Sequence, residues 1–197
     1  MVDSYTFRRQ TMLRPIFAAV CFAFSLSALV AQDKSQDEQA FSEGRYRFRV
    51  AINGKPKSET KDVSYGTEAN QVIKVTLRKW EPKDGGTYSL LTADYPEALE
   101  KADAKTIIDG VRDGLRGPTE LGGTVDVDKP STIGTKKLPG RELMVHAKKN
   151  WIHARVVYLP PRLIQVMVTG SETQVKHANA VRFLNSLGCE KLPDDGK

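Results

Sequence analysis

Acid–base chemistry near neutral pH asks first for histidine, because imidazole is the side chain whose ordinary pKa, about 6.5, lies in that range. This chain has three: His146, His153 and His177. Two of them fall in a stretch that reads as a β-hairpin. With Lys149-Asn150 as a two-residue loop, residue 148 opposes 151, 147 opposes 152 and His146 opposes His153, with side chains about 5 Å apart. The same register puts Leu143, Val145, Ala147, Ile152, Ala154 and Val156 on one face, and a one-residue slip would scramble that set. Two facing imidazoles supply two metal ligands, whereas a catalytic zinc takes about three from the protein. A third would have to come from a carboxylate such as Glu142 or from another chain. His146 and His153 are thus metal candidates with an incomplete ligand set, and the sequence calls for no metal and no cofactor. Trp151, Arg155, Met144 and Lys148 share the histidine face. Trp and Arg are enriched at interface hot spots, which makes Trp151, Arg155 and Met144 candidates for a binding surface. The alternative is that a helix covers this face and Trp151 belongs to the core.

The remaining chemistry is sparse. His177 falls on the apolar side of a C-terminal helical pattern and reads as a boundary histidine with one hydrogen bond. Cys189 follows Gly188 at the end of that pattern, where a small apolar residue packs back on the helix end, and it has no neighbouring His or Cys. Gly117, Gly122 and Gly123 lack the spacing and the strand–turn–helix setting of a phosphate loop. No Gly-x-Ser-x-Gly elbow, His-Glu-x-x-His pair or paired-cysteine metal motif occurs. No catalytic set stands out.

The first 31 residues are of a different composition. Arg8, Arg9 and Arg14 precede an uncharged run from Pro15 to Val30, and a polar stretch follows from Gln32. Basic, apolar, then polar is the order of a secretory signal peptide, with cleavage after Ala31, where Leu29 is a poor small residue two before it, or at the alternative that Ser25 and Ser27 offer. The run Pro15–Ala31 is at the short end of what spans a bilayer as an uncleaved anchor. The expected product is exported, periplasmic or extracellular, with no stable membrane span after cleavage. Removing residues 1–31 takes three Arg and one Asp, so the formal charge falls from +6 to +4. That excess is spread along the chain, which argues against nucleic-acid binding, since that needs a concentrated basic stripe. Cys21 leaves with the signal, so Cys189 has no intrachain partner.

The elements that must position these residues follow from periodicity. Residues 32–40 read as a flexible linker, 41–190 as the folded domain and 191–197 as a loose tail. Arg45–Ala51 alternates as a half-buried strand, and Asn53-Gly54 signals a hairpin returning through the polar segment Lys57–Val63 as an edge strand or a loop. Gln71–Trp80 and Thr87–Tyr95 are strands. Ala104, Ile107, Ile108, Val111 and Leu115 mark an amphipathic helix with Asp103 as N-cap and Gly117-Pro118 as its stop. Gly123–Asp128 and Thr132–Leu138 are short strand candidates; Arg141–Ala147, Asn150–Leu159 and Arg162–Thr169 are longer. A second helix opens on Ser171-Glu172-Thr173-Gln174, a capping box, and closes at Gly188 as a left-handed cap. The fold class is α+β: a single domain, its sheet largely antiparallel and packed by two amphipathic helices.

Pro139-Gly140-Arg141-Glu142 leading into a strand, then Arg155-Val156-Val157-Tyr158, Pro160-Pro161 and Arg162-Leu163-Ile164-Gln165-Val166-Met167-Val168, with Phe183-Leu184 in the final helix, resemble uncharacterised secreted proteins of planctomycete-type bacteria. That group is similar to the PsbP/Mog-type fold, an antiparallel sheet with helices on both faces. Arg162 and Gln165 match the pattern, whereas Pro160-Pro161 stands where a Gly-containing turn is expected. The resemblance implies a non-enzymatic accessory or binding protein and assigns no catalytic residue. The expected function is therefore an exported, non-catalytic binding or accessory module, its partner unknown but of envelope type. The alternative is an envelope hydrolase or metal-binding protein whose site assembles only in the fold.

Overall fold

The computed structural model describes residues 38–43, 46–64, 72–83, 85–96, 103–117, 123–134 and 137–191; the proposed signal segment and residues 192–197 lie outside them. Ten strands and three helices occur among these residues. Strands β3 (Lys57–Ser64), β4 (Val72–Trp80), β5 (Thr87–Asp94), β6 (Thr124–Ile133), β7 (Leu138–Ala147), β8 (Asn150–Leu159) and β9 (Arg162–Gly170) make a seven-stranded sheet in the order β3-β4-β5-β9-β8-β7-β6. Strands β1 (Glu38–Glu43), β2 (Tyr46–Ala51) and β10 (Gly188–Lys191) make a second sheet in the order β1-β2-β10. Every pair in both sheets is antiparallel.

The period of two along each strand divides the large sheet into two apolar faces. On one face Ile73, Leu77, Leu91, Leu143, Ala154, Val156 and Leu163 meet helix α1 (Ala104–Arg116), which contributes Ile107, Ile108, Val111 and Leu115. On the other, Trp80, Tyr88, Leu90, Val166 and Val168 meet the small sheet through Phe48 and Val50, and helix α3 (Ala178–Asn185) through Phe183 and Leu184. Phe183 sits edge-on to both Tyr88, at 5.2 Å, and Trp80, at 6.1 Å. The layers are thus helix, sheet, then helix plus small sheet.

A buried charged joint ties the two sheets. Arg162, 8% exposed, grips Asp94 with Nε and Nη2. Its Nη1 donates to the Glu43 carbonyl. The Glu43 carboxylate in turn takes the Thr92 hydroxyl at 2.7 Å and pairs with Arg78. The Arg162 guanidinium also lies 5.4 Å from the centre of the Tyr46 ring.

Several expectations need correction. Residues 38–40, read as linker, are already strand, because Glu38–Ala40 pairs with Arg49–Ala51. Asn53-Gly54 does not turn a hairpin: β2 and β3 lie in different sheets, and the Gly54 carbonyl accepts from Trp80 Nε1. Gly123–Asp128 and Thr132–Leu138 are not two separate strands. The first extends as β6 through Pro130, which an edge strand tolerates, and Leu138 opens β7. Asp103 takes the N-cap position of α1 without a side-chain cap hydrogen bond. The second helix is broken at His177, whose extended backbone ends α2 (Glu172–Lys176) and whose Nδ1 accepts from Asn179 N at the start of α3. The capping box of Ser171 and Gln174 is formed. Room for the Gln174 amide comes from two glycines: a Cβ on Gly85 would lie 2.2 Å from Nε2, and one on Gly170 2.5 Å from Oε1. Ser186, not Gly188, caps α3; Gly188 begins β10, and Cys189 is buried in that strand opposite Phe48. Lys191, placed in a loose tail, is the last residue of β10.

Candidate binding face on strands β7 and β8

The β7–β8 hairpin turns at Lys148-Lys149, with Ala147 opposite Asn150 and Lys148 at φ 57°. This is two residues away from the pairing read from the sequence. Leu143, Val145, Ile152, Ala154 and Val156 nevertheless lie on the α1 face as expected, because a shift of two keeps every side chain on its own face. The histidines do not oppose each other. His146 faces Trp151, and His153 faces Met144.

On the opposite face of the hairpin the polar residues form two separate groups. His153, 6% exposed, is wedged between the sheet and α2: its Nδ1 lies 3.3 Å from the Val175 carbonyl and its Nε2 lies 3.1 Å from Glu142 Oε1. Glu142 also takes Arg155 Nη2 on its other oxygen at 3.3 Å, with Lys129 Nζ at 3.6 Å. Burial pushes the Glu142 carboxyl up, but the hydrogen bond from His153 and the charges of Lys129 and Arg155 outweigh it and hold the group below the ordinary range. The second group is at the hairpin end. The His146 ring stacks on Trp151 at 4.5 Å, its Nδ1 contacts Asp126 Oδ2 at 2.6 Å, and Lys176 Nζ stands 5.1 Å from the Trp151 ring centre.

The residues singled out from sequence thus share a face but separate by environment. Met144 is not on the surface: at 8% exposure it is enclosed between its neighbours. Arg155 is half-buried and committed to Glu142. Trp151 is half-buried and packs against the edge of the core, with Lys176 of α2 over its ring. The metal candidates are bound to different carboxylates, and among the described residues no three His, Cys, Asp or Glu side chains come together as a metal-holding group. Sequence reasoning missed Asp126 and Lys176 as members of the face. Asp126 sits at an irregularity of β6, between Val125 and Val127, where the strand period slips.

An open groove between the end of β2 and α3 is lined by Ala51, Ala178, Val181, Arg182, Asn185 and Ser186. It carries no carboxylate, imidazole or thiol. No described helix is long and apolar enough to cross a membrane.

The chain is similar to a cyanobacterial PsbP. The solution structure of that protein, CyanoP from Synechocystis sp. PCC 6803, matches with a TM-score of 0.46 at 12% identity, over 83% of this chain and 98% of the other. No family model matches, and neither does any curated protein.

Proposed function

We propose that this chain is an exported, non-catalytic binding or accessory module of a bacterial envelope, and that its partner docks at the Trp151 end of the β7–β8 hairpin. The observation that carries this reading is how the reactive groups are committed. The Glu142 carboxylate and both nitrogens of His153 contact groups inside the molecule, and a general acid or base must reach a substrate atom within hydrogen-bond distance. At the hairpin end, by contrast, exposed Lys148 and Lys149 adjoin the half-buried Trp151. Such an aromatic anchor with a charged rim forms contacts rather than breaking bonds.

The test is affinity capture from the native envelope fraction with the mature protein and its Trp151→Ala variant, each first shown to melt as one folded species. The reading expects a saturable partner that wild type retains and the variant loses. Turnover of an ester, peptide or glycoside probe that disappears in Glu142→Gln would instead establish the hydrolase alternative.

A further inference from the structure

Strand β3 forms an outer edge of the seven-stranded sheet. Lys57 through Asp62 are all exposed, and among the described residues the strand's ladder runs only to β4. In an antiparallel ladder alternate residues turn both backbone groups to the same side. One set of β3 residues therefore bonds β4, and the other set points its N–H and C=O groups outward. Native proteins cover, charge or pair such an edge. The opposite edge, β6, is interrupted by Pro130 and by the irregularity at Asp126. β3 has neither device, only its charges.

Those charges are self-complementary in one register. When β3 pairs antiparallel with β3 of a second copy, outward groups can meet only outward groups, so opposed residues are an even number apart. Centring the pair on Glu59 sets Glu59 against itself and Lys57 against Lys61. Centring on Lys61 or Asp62 sets that residue against its own copy. Centring on Ser58 brings only the first three residues of the strand into play. Centring on Thr60 engages residues 57–63, places Glu59 opposite Lys61 twice, and opposes no like charges. Each chain already holds Glu59 and Lys61 together at 2.6 Å, so the two pairs would meet as a four-charge cluster. The same register prolongs a threonine row. Thr60, Thr76 and Thr92 are opposite one another across β3, β4 and β5, with the Thr60 and Thr76 hydroxyls 3.0 Å apart. A second copy would continue that row through its own three threonines.

We infer that β3 is a self-association edge, joining two copies in a two-fold pair centred on Thr60 into one continuous fourteen-stranded sheet. A two-fold pair consumes both edges and closes the assembly rather than propagating it. The contact is narrow, and interfaces below about 1,200 Å² form weak, reversible complexes. The mature protein should therefore move from one-chain to two-chain mass as its concentration rises in sedimentation equilibrium. Glu59→Lys and Lys61→Glu should each remain at one-chain mass, with wild-type circular dichroism and melting. An equimolar mixture of the two variants should regain association, because at both positions a lysine of one variant then faces a glutamate of the other. A wild type that stays monomeric up to its solubility limit overturns the inference. So do single variants that associate like wild type, or a mixture that stays monomeric.

Discussion

Replacing Arg162 by Met removes the charge of the joint between the sheets while keeping an apolar stem of similar reach. Arg162 makes a two-pronged contact with Asp94 and bonds the Glu43 carbonyl. Breaking a buried ion pair by deleting one partner typically costs about 3–5 kcal/mol, because the other charge is left uncompensated. Two features place this site at the low end. The Asp94 side chain is 41% exposed and regains water, and Glu43 keeps Arg78 and Thr92. A loss of about 3 kcal/mol is expected, or roughly 6–12 °C in Tm for a domain of this size. Urea unfolding at neutral pH, followed by both tryptophan fluorescence and far-UV dichroism, measures it. Asp94→Asn in the Arg162→Met background should cost less than in wild type, since the two groups act as one unit. A loss below about 1 kcal/mol, or strictly additive losses, would refute the idea that Arg162 fastens the small sheet rather than merely lying beside it.

Leu143→Ala should cost about 2–5 kcal/mol, as for any fully buried leucine, and Ile152→Ala distinctly less, because Ile152 is only half-buried on the same face; equal losses by chemical denaturation would contradict this division of the hairpin. The Glu142 carboxyl is held below its ordinary range in the fold, so its contribution is complete above the unfolded value of about 4.3 and fades as pH falls through the folded one. The stability gap between wild type and Glu142→Gln should therefore shrink as pH falls below about 4, and a gap that widens over that acid range would reverse the assignment. On the proposed export, intact-mass analysis of the protein recovered from the envelope or medium should place the mature N-terminus between residues 26 and 33; retention of residues 1–25 would favour an anchor.

What the sequence discloses is what repeats locally. The faces of β7 and β8 were legible because Leu143, Val145, Ile152, Ala154 and Val156 alternate without exception. Their pairing was not, since a two-residue shift leaves that alternation intact and Lys148-Lys149 carries none of the Gly or Asn chemistry that marks a tight turn. The helix at 172–185 was visible in its capping box and apolar stripe, but a histidine capping one helix on its neighbour has no periodic signature. Charge constellations were the least readable. Arg162, Asp94 and Glu43 are scattered over 119 residues, and Asp126 meets His146 at an irregularity of β6 that local alternation does not announce.

The small sheet has a kinetic consequence. Its central strand, β2, is flanked by β1 just before it in the chain and by β10 nearly at the far end, with Gly188 opposite Arg49. Phe48 and Val50 on β2 and Cys189 on β10 belong to the same apolar cluster as Phe183 and Leu187. That cluster stays open to water until a loop of well over a hundred residues has closed, and long loops are the slow ones to close. A growing chain can assemble the β3–β4–β5 meander early, yet this half of its interior stays unsealed until residues 188–191 arrive. Chains cut short before that point should be soft, protease-sensitive and quickly cleared, so completeness at the C-terminal side becomes the condition for a durable molecule.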